Sequence, residues 1–262
     1  MRLKLDGLFW GGILILLGVL FFLQAAGFIK DVFGWFWPIM LMLLGLFVLA
    51  GVFWPGAARM GGVKALVSLD ENAKSARIDL DFGASSLWVS GGAQPGTLVY
   101  GTSGTALEVK SHLAGDVQEV DLDAGPSFLP FLGSASGSWD FQLSDSIPLT
   151  LDVDAGASSM TFDLADLPVQ EIRVDGGAST INLTLPKSSN CRVKMNMGAA
   201  TINITVPEGV EMRLGMDGMM SLNIDEKRFS HVGSFYQTGG YDSAQTRVDV
   251  DLDGGASTVT VS

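Results

Sequence analysis

The chain has 262 residues, enough for one membrane unit and one soluble domain or for a single large all-β domain, and its 16 Lys and Arg against 28 Asp and Glu leave a formal charge of −12. A surface of that sign repels nucleic acid, which is excluded as a partner, and gains little from anionic lipid headgroups. The lone cysteine, Cys191, rules out an intrachain disulfide, and with His112 and His231 far from it in sequence it reads as an ordinary strand residue.

The apolar residues crowd into the first part of the chain. Residues 8–29, LFWGGILILLGVLFFLQAAGFI, carry Gln24 as the one strongly polar side chain. At about 1.5 Å per residue, such a helix crosses a hydrocarbon core of roughly 30 Å. Residues 32–54 form a second uncharged run, with Pro38 in what would be its first turn, where a missing N–H removes a donor that has no helical partner anyway. Lys30 and Asp31, between Gly27 and Gly34, leave room only for a tight reversal. The expectation is an antiparallel transmembrane hairpin over residues 1–55, with Trp10, Trp35, Trp37 and Trp54 near the ends of the spans. A cleaved signal peptide would have a shorter apolar core and polar sequence after it, whereas here a second apolar run follows. Arg2 and Lys4 before the first span and Arg59 and Lys64 after the second place both termini in the cytoplasm by the positive-inside bias.

Residues 56–62, GAARMGG, make a short linker, and residues 63–262 repeat one pattern. Apolar and polar residues alternate, a Gly-Ala-Ser/Ala-Ser/Thr corner follows, and alternation resumes: IDLDFGASSLWV, LDVDAGASSMTF, IRVDGGASTINL, VKMNMGAATINI and VDLDGGASTVTV. Weaker copies are VDLDAGPS and DGMMSLNI. Gly156, Gly177 and Gly198 recur at a spacing of 21 residues, and Gly218 follows 20 later. A fixed period of this size marks stacked units too small to bury their apolar sides alone. The expected fold is an all-β stacked-repeat domain, a parallel β-solenoid or related β-roll with coils of about 21 residues; an antiparallel sandwich of hairpins is the alternative. Gly83, Gly156, Gly177, Gly198 and Gly255 are the expected corners, where glycine would supply a dihedral that other residues resist.

Asp-x-Asp pairs recur at Asp79 and Asp81, Asp121 and Asp123, Asp152 and Asp154, and through Asp249, Asp251 and Asp253. Glycoside hydrolysis needs an acid and a base facing each other across a cleft, but these carboxylates lie on the solvated face of regular strands. Neither EF-hand spacing nor a Gly-rich calcium-binding nonapeptide occurs. No catalytic residue, cofactor or metal ligand is assigned. With the three glycines stacked, Asp152 should lie beside Arg173 and Arg173 beside Lys194, while Asp154, Asp175 and Asn196 form the next column. The pattern breaks at FLPFLGS, with Phe128, Phe131 and the nearby Trp139, and again around Phe235 and Tyr236, which makes these five the candidate interaction surface.

GGILILLGVLFFL and WPIMLMLLGLFVL ahead of the Gly-Ala-Ser repeats give the chain a resemblance to bacterial membrane proteins of the LiaF type, whose C-terminal part is described as a toast-rack or cell-wall-active-antibiotics-response domain. That resemblance implies a non-enzymatic regulator of envelope-stress signalling in the bacterial cell membrane, in contact with a histidine kinase. The expected partners are the bilayer, through residues 8–54, and either a second membrane or signalling protein or another copy of the chain. A self-assembling structural solenoid, similar to bactofilins, is the competing function, motivated by the strand-like VTVS at the C-terminal end.

Overall fold

In a computed structural model the described residues are 63–83, 85–104, 106–124 and 137–262, together with scattered positions between 17 and 41. The chain divides into two compact units, Met1–Met60 and Gly61–Ser262. In the first, Leu17, Gly18, Phe21, Phe22 and Gln24 are helical, Ala26 and Gly27 form a turn, and Val32, Gly34, Phe36, Trp37 and Leu41 are helical again. Gly27, at φ +81°, donates to the carbonyl of Gln24, a helix-ending geometry. Among the described residues no helix is long and apolar enough to cross a membrane. The expected spans at 8–29 and 32–54 lie largely outside the described residues, as do the linker at 56–62 and the candidate surface residues Phe128 and Phe131.

The second unit is built of strands: β1 Val63–Ser68, β2 Ser75–Phe82, β3 Ser86–Gly91, β4 Thr97–Ser103, β5 Leu107–Ala114, β6 Val117–Ala124, β7 Ser138–Leu143, β8 Leu149–Ala155, β9 Ser158–Asp163, β10 Val169–Thr184, β11 Cys191–Thr205, β12 Glu211–Ile224, β13 Phe229–Val232, β14 Phe235–Thr238 and β15 Arg247–Val261. Pairs β2/β3 and β8/β9, and each of the long strands β10, β11, β12 and β15, run up one sheet, turn at a glycine and continue into a second. The first sheet has the order β5, β6, β2, β8, then the N-terminal halves of β10, β11, β15 and β12, then β14 and β13. The second runs β1, β4, β7, β3, β9, then the C-terminal halves of β10, β11, β15 and β12. The repeat strands pair in parallel, as a stacked-coil fold requires and a sandwich of hairpins does not.

Period-two alternation makes the core. Inward columns run Val120, Ile78, Leu151, Ile172, Val193, Val250, Leu214 in the first sheet and Trp139, Leu87, Met160, Ile181, Ile202, Val259, Leu222 in the second. All but the last member of the second column are buried. Each fully buried Leu, Ile or Val contributes about 1.5–3 kcal/mol relative to exposure, so a column of seven outweighs any single surface contact.

Two features depart from the sequence expectation. The stack does not follow chain order: β2/β3 lie between β6/β7 and β8/β9, and β15 is inserted between β11 and β12, so Gly255, not Gly218, sits next to Gly198. The C-terminal strand is therefore interior, paired on both sides, and offers no open edge. Second, none of the five corner glycines has a positive φ. Four of them, Gly156, Gly177, Gly198 and Gly255, are required by proximity along the stack. A Cβ on Gly177 would stand 3.1 Å from the carbonyl oxygen of Gly156, one on Gly198 3.1 Å from that of Gly177, and one on Gly255 2.4 Å from that of Gly198. The Gly156 carbonyl accepts from the Gly177 N–H at 3.0 Å, and the Gly83 carbonyl from the Gly156 N–H at 2.9 Å. Gly218 alone at this corner line needs the left-handed region, at φ +108°, where the register of β12 against β15 shifts.

The corners rank themselves for substitution. Gly255→Ala meets backbone at 2.4 Å and Gly177→Ala at 3.1 Å, whereas nothing lies within 4 Å of a Cβ on Gly83. Chemical denaturation should show a loss of about 2–4 kcal/mol for Gly255→Ala, about 1 kcal/mol for Gly177→Ala and no more than about 0.5 kcal/mol for Gly83→Ala. Equal losses at all three would contradict close approach as the reason for glycine.

Candidate interaction surface

The outward columns of the first sheet are ionic. Glu119, Arg77, Thr150, Glu171, Arg192, Asp249 and Arg213 make one; Asp121, Asp79, Asp152, Arg173, Lys194 and Asp251 the next; Asp123, Asp81, Asp154, Asp175, Asn196, Asp253 and Asp217 the one nearest the corner. Asp152 forms ion pairs with Arg77 at 3.6 Å and Arg173 at 3.5 Å, and Asn196 donates to Asp175 at 2.6 Å; the Arg173 and Asn196 contacts are the ones the 21-residue spacing implies. Exposed pairs of this kind contribute about 0–1 kcal/mol each, so their effect is on register and solubility more than on stability.

Carboxylates packed at strand spacing shift one another. Burial, then the charge of Asp152, pushes Asp79 up to about 6 against the pull of Arg77, with Asp121 and Glu119 adding to the rise. Burial, then Asp175, Asp81 and Asp152, also raises Asp154. The corner carries an open groove lined by Asp81, Asp154, Asp175 and the backbone of Gly83, Gly156 and Gly176. Among the described residues no group of three or more His, Cys, Asp or Glu is placed to hold a metal ion. Cys191 is buried, and that burial, then Glu171, pushes its thiol up to about 12, which leaves no thiolate at neutral pH.

The second sheet presents a different outer face. Ser159, Thr180, Thr201, Thr258 and Ser221 form one column and Thr161, Asn182, Asn203, Thr260 and Asn223 the next, with Asn203 donating to Asn182 at 2.9 Å. Toward the β1 end this polar face gains exposed apolar side chains: Trp88, 52% exposed, occupies the Asn column, and Tyr100 and Leu66, cross-strand neighbours 40% and 66% exposed, lie beyond β7, whose outward residues are Asp140 and Gln142. Sequence reading missed this patch because Trp88 sits inside a regular repeat copy and Tyr100 in a strand without the corner motif.

Of the five residues singled out from the sequence, two lie outside the described residues. Trp139 is not on a surface. It is 1% exposed, at the inward repeat position equivalent to Ile181, with Phe82 at 5.2 Å and Phe141 at 5.6 Å between ring centroids. Phe235 and Tyr236 belong to β14, which with β13 covers the N-terminal half of β12. Phe235 is 36% exposed and lies beneath the Arg213 guanidinium, 5.0 Å from its centroid. The same guanidinium stacks on Tyr241 and bonds Asp249 at 2.7 Å, and the Tyr241 hydroxyl donates to that carboxylate. Burial first, then Asp249, pushes the Tyr241 phenol up to about 12. This cluster pins β14 and the following turn to the end of the stack. Nothing in the sequence signalled it, since Arg213 and Asp249 meet only through the insertion of β15.

The N-terminal domain of toast_rack, DUF2154, matches residues 60–205. The chain belongs to the toast-rack family. The match takes in the strands from β1 to β11, and β12 and β15 extend the toast-rack stack beyond it. A crystal structure titled "putative cell adhesion protein", from Clostridium sporogenes ATCC 15579, shares the fold: TM-score 0.65 at 17% identity, over 77% of this chain and 99% of that one. A "putative adhesin" from Bacteroides fragilis NCTC 9343 aligns over 78% of this chain and 99% of that one at 7% identity, with a TM-score of 0.29. No curated protein matches the sequence.

Asp79 sets a pH dependence for the toast-rack domain. Its folded value of about 6 lies above the ordinary 3.8, so the folded state holds the proton more tightly and stability falls as pH rises through 6. Lowering the pH from 7 to 5 should therefore raise the thermal midpoint, and Asp79→Asn should stabilise the domain at pH 7 by about 1 kcal/mol, after allowance for solvent screening. An Asp79→Asn variant with the wild-type pH profile would show that this carboxylate is not the cause.

Proposed function

We propose that this toast-rack protein is a non-enzymatic regulator or scaffold, anchored in a bacterial cell membrane through residues 8–54, which modulates an envelope-stress signalling system by protein–protein contact. The observation that carries the reading is the build of the β unit. Its inward side chains are consumed in one apolar core, and its outward ones form open, nearly flat ladders suited to presenting a surface rather than enclosing a small substrate. The two uncharged runs flanking Lys30 and Asp31, with helical residues on both sides of the turn at Gly27, support the anchor. The basic residues Arg2, Lys4, Arg59 and Lys64 favour cytoplasmic termini and a cytoplasmic toast-rack domain, within reach of a membrane kinase. The docking surface assigned to that partner is the part of the second sheet where Trp88 on β3 and Tyr100 and Leu66 on β4 and β1 stand exposed around the polar Asp140 and Gln142 of β7, since exposed aromatics supply contact area at low entropic cost.

Deleting the protein from its host and following an envelope-stress reporter tests the reading. Reporter output should change in the absence of a cell-wall antibiotic, return on complementation with the full chain, and stay altered with a Trp88→Ala, Tyr100→Ala chain that is present at normal levels. A reporter indifferent to the deletion, with and without the antibiotic, would exclude a regulatory role.

A further inference from the structure

The two ends of the stack are finished differently. At the β5/β1 end the edge strands carry charge: Lys110 bridges Glu108 at 3.4 Å and Asp123 at 3.5 Å, His112 lies 3.0 Å from Glu119, and β1 bears Lys64. Charged edges of this kind discourage further strand addition. At the other end β14 pairs with β12 only from Arg213 to Gly215. Beyond it, among the described residues, Met220–Ile224 pairs on one side alone, with β15, after a register shift at Met219. That free edge is apolar and uncharged from Gly218 to Ile224 in a chain of net charge −12. Met219 is 79% exposed, and Met220, Leu222 and Ile224, which continue the core columns, are half-buried where their equivalents in β15 are buried.

We propose that this edge docks a second copy of the chain, whose own β12 adds antiparallel across a two-fold axis at Leu222. The edge is self-complementary about that residue. Pairing there sets Met220 against Ile224, Leu222 against Leu222 and Ser221 against Asn223, so apolar side chains meet on the inner face and polar ones on the outer. The absence of charge from Gly218 to Ile224 lets two identical, strongly acidic molecules approach along this edge. Strand addition would satisfy the free N–H and C=O groups and cover the exposed end of the core in one step. An edge centred on Ser221 instead would oppose Asp217 and Asp225, which fixes the register. This inference specifies the self-association expected of the chain but through β12, not the C-terminal strand, and it is independent of the signalling role, whose patch lies at the other end of the second sheet.

Oxidative cross-linking of the full-length protein in its own membranes tests it. Cys191 is buried, so the wild-type chain is the background control. Leu222→Cys should cross-link to dimer, while Lys64→Cys at the far end and Thr260→Cys on the interior strand should not. Because Leu222 is half-buried, a mixture of Ser221→Cys chains with Asn223→Cys chains provides a second probe and should give the mixed dimer. By light scattering of the detergent-solubilised chain, the wild type should be a dimer and Met219→Lys, Ser221→Lys a monomer that keeps the strand circular-dichroism signature and unfolds cooperatively at a somewhat lower midpoint. A monomeric wild type, a lysine variant that remains dimeric, or cross-linking at position 64 or 260 equal to that at 222 would overturn the proposal. Stress-reporter behaviour would be untouched by that failure.

Discussion

At the corner line of the β unit, the carbonyl oxygens of Gly83, Gly156, Gly177 and Gly198 occupy the volume that a Cβ on the next coil would need, with an approach of 2.4 Å between Gly198 and Gly255. The hydrogen bonds from Gly156 to Gly83 and from Gly177 to Gly156 place those carbonyls there. Coils can come this close only if the corners at Gly156, Gly177, Gly198 and Gly255 lack a side chain, and this spacing is what brings Ile172, Val193 and Val250, or Ile181, Ile202 and Val259, into contact as continuous columns. The flanking residues reinforce the corner. Ser158 and Ser179 hydroxyls meet at 3.2 Å, and the Ser257 hydroxyl accepts the N–H of Ala200 at 3.1 Å, replacing the hydroxyl that Ala200 lacks.

Stacking at one strand spacing also dictates the surfaces. Equivalent outward residues fall into columns whether or not their charges suit one another, so the first sheet must mix Arg173 and Lys194 into an Asp column, and it tolerates a near-unbroken Asp column at the corner, where burial and neighbouring carboxylates raise Asp154. The second sheet avoids the problem with hydroxyls and amides, which are neutral and bond along the column. Finite stacks need ends, and the buried Gln118 shows how one is closed: it accepts from the Asp70 N–H at 2.9 Å and donates to the Ser68 carbonyl and the Ser111 hydroxyl, tying β1 to the other sheet. At the opposite end the Arg213, Asp249, Tyr241 cluster holds β14 against Arg213–Gly215 of β12 and, among the described residues, leaves the C-terminal half of β12 unpaired on that side.

Local periodicity made much of this readable. Alternation about the Gly-Ala-Ser corners identified the inward residues of β2, β3, β8, β9, β10, β11 and β15, and the 21-residue spacing gave the neighbours Asp152 and Arg173, and Asp175 and Asn196. Chain order was a poor guide to stack order, because a parallel coil can insert between two others without leaving a mark on its own sequence, as β15 does. The same blindness hid the Arg213 cluster and misplaced the open edge. Trp139 was misjudged because SWDFQL keeps the repeat's alternation but follows the FLPFLGS break in the sequence pattern, so a large core side chain looked like part of the interruption. The exposed Trp88 erred the other way, sitting at a position whose equivalents are Thr161 and Asn182.

The order of coils is the claim on which the corner, the columns and the free edge all depend. Cysteine pairs on the outer face of the second sheet test it directly, since adjacent strands lie about 4.8 Å apart and alternate ones about twice that, beyond disulfide reach. Asn203 with Thr260, and Thr260 with Asn223, should each form a disulfide within one chain, while Asn203 with Asn223 should not, because Thr260 lies between them. A disulfide between positions 203 and 223, with none to 260, would place β12 directly on β11 and contradict the stack described.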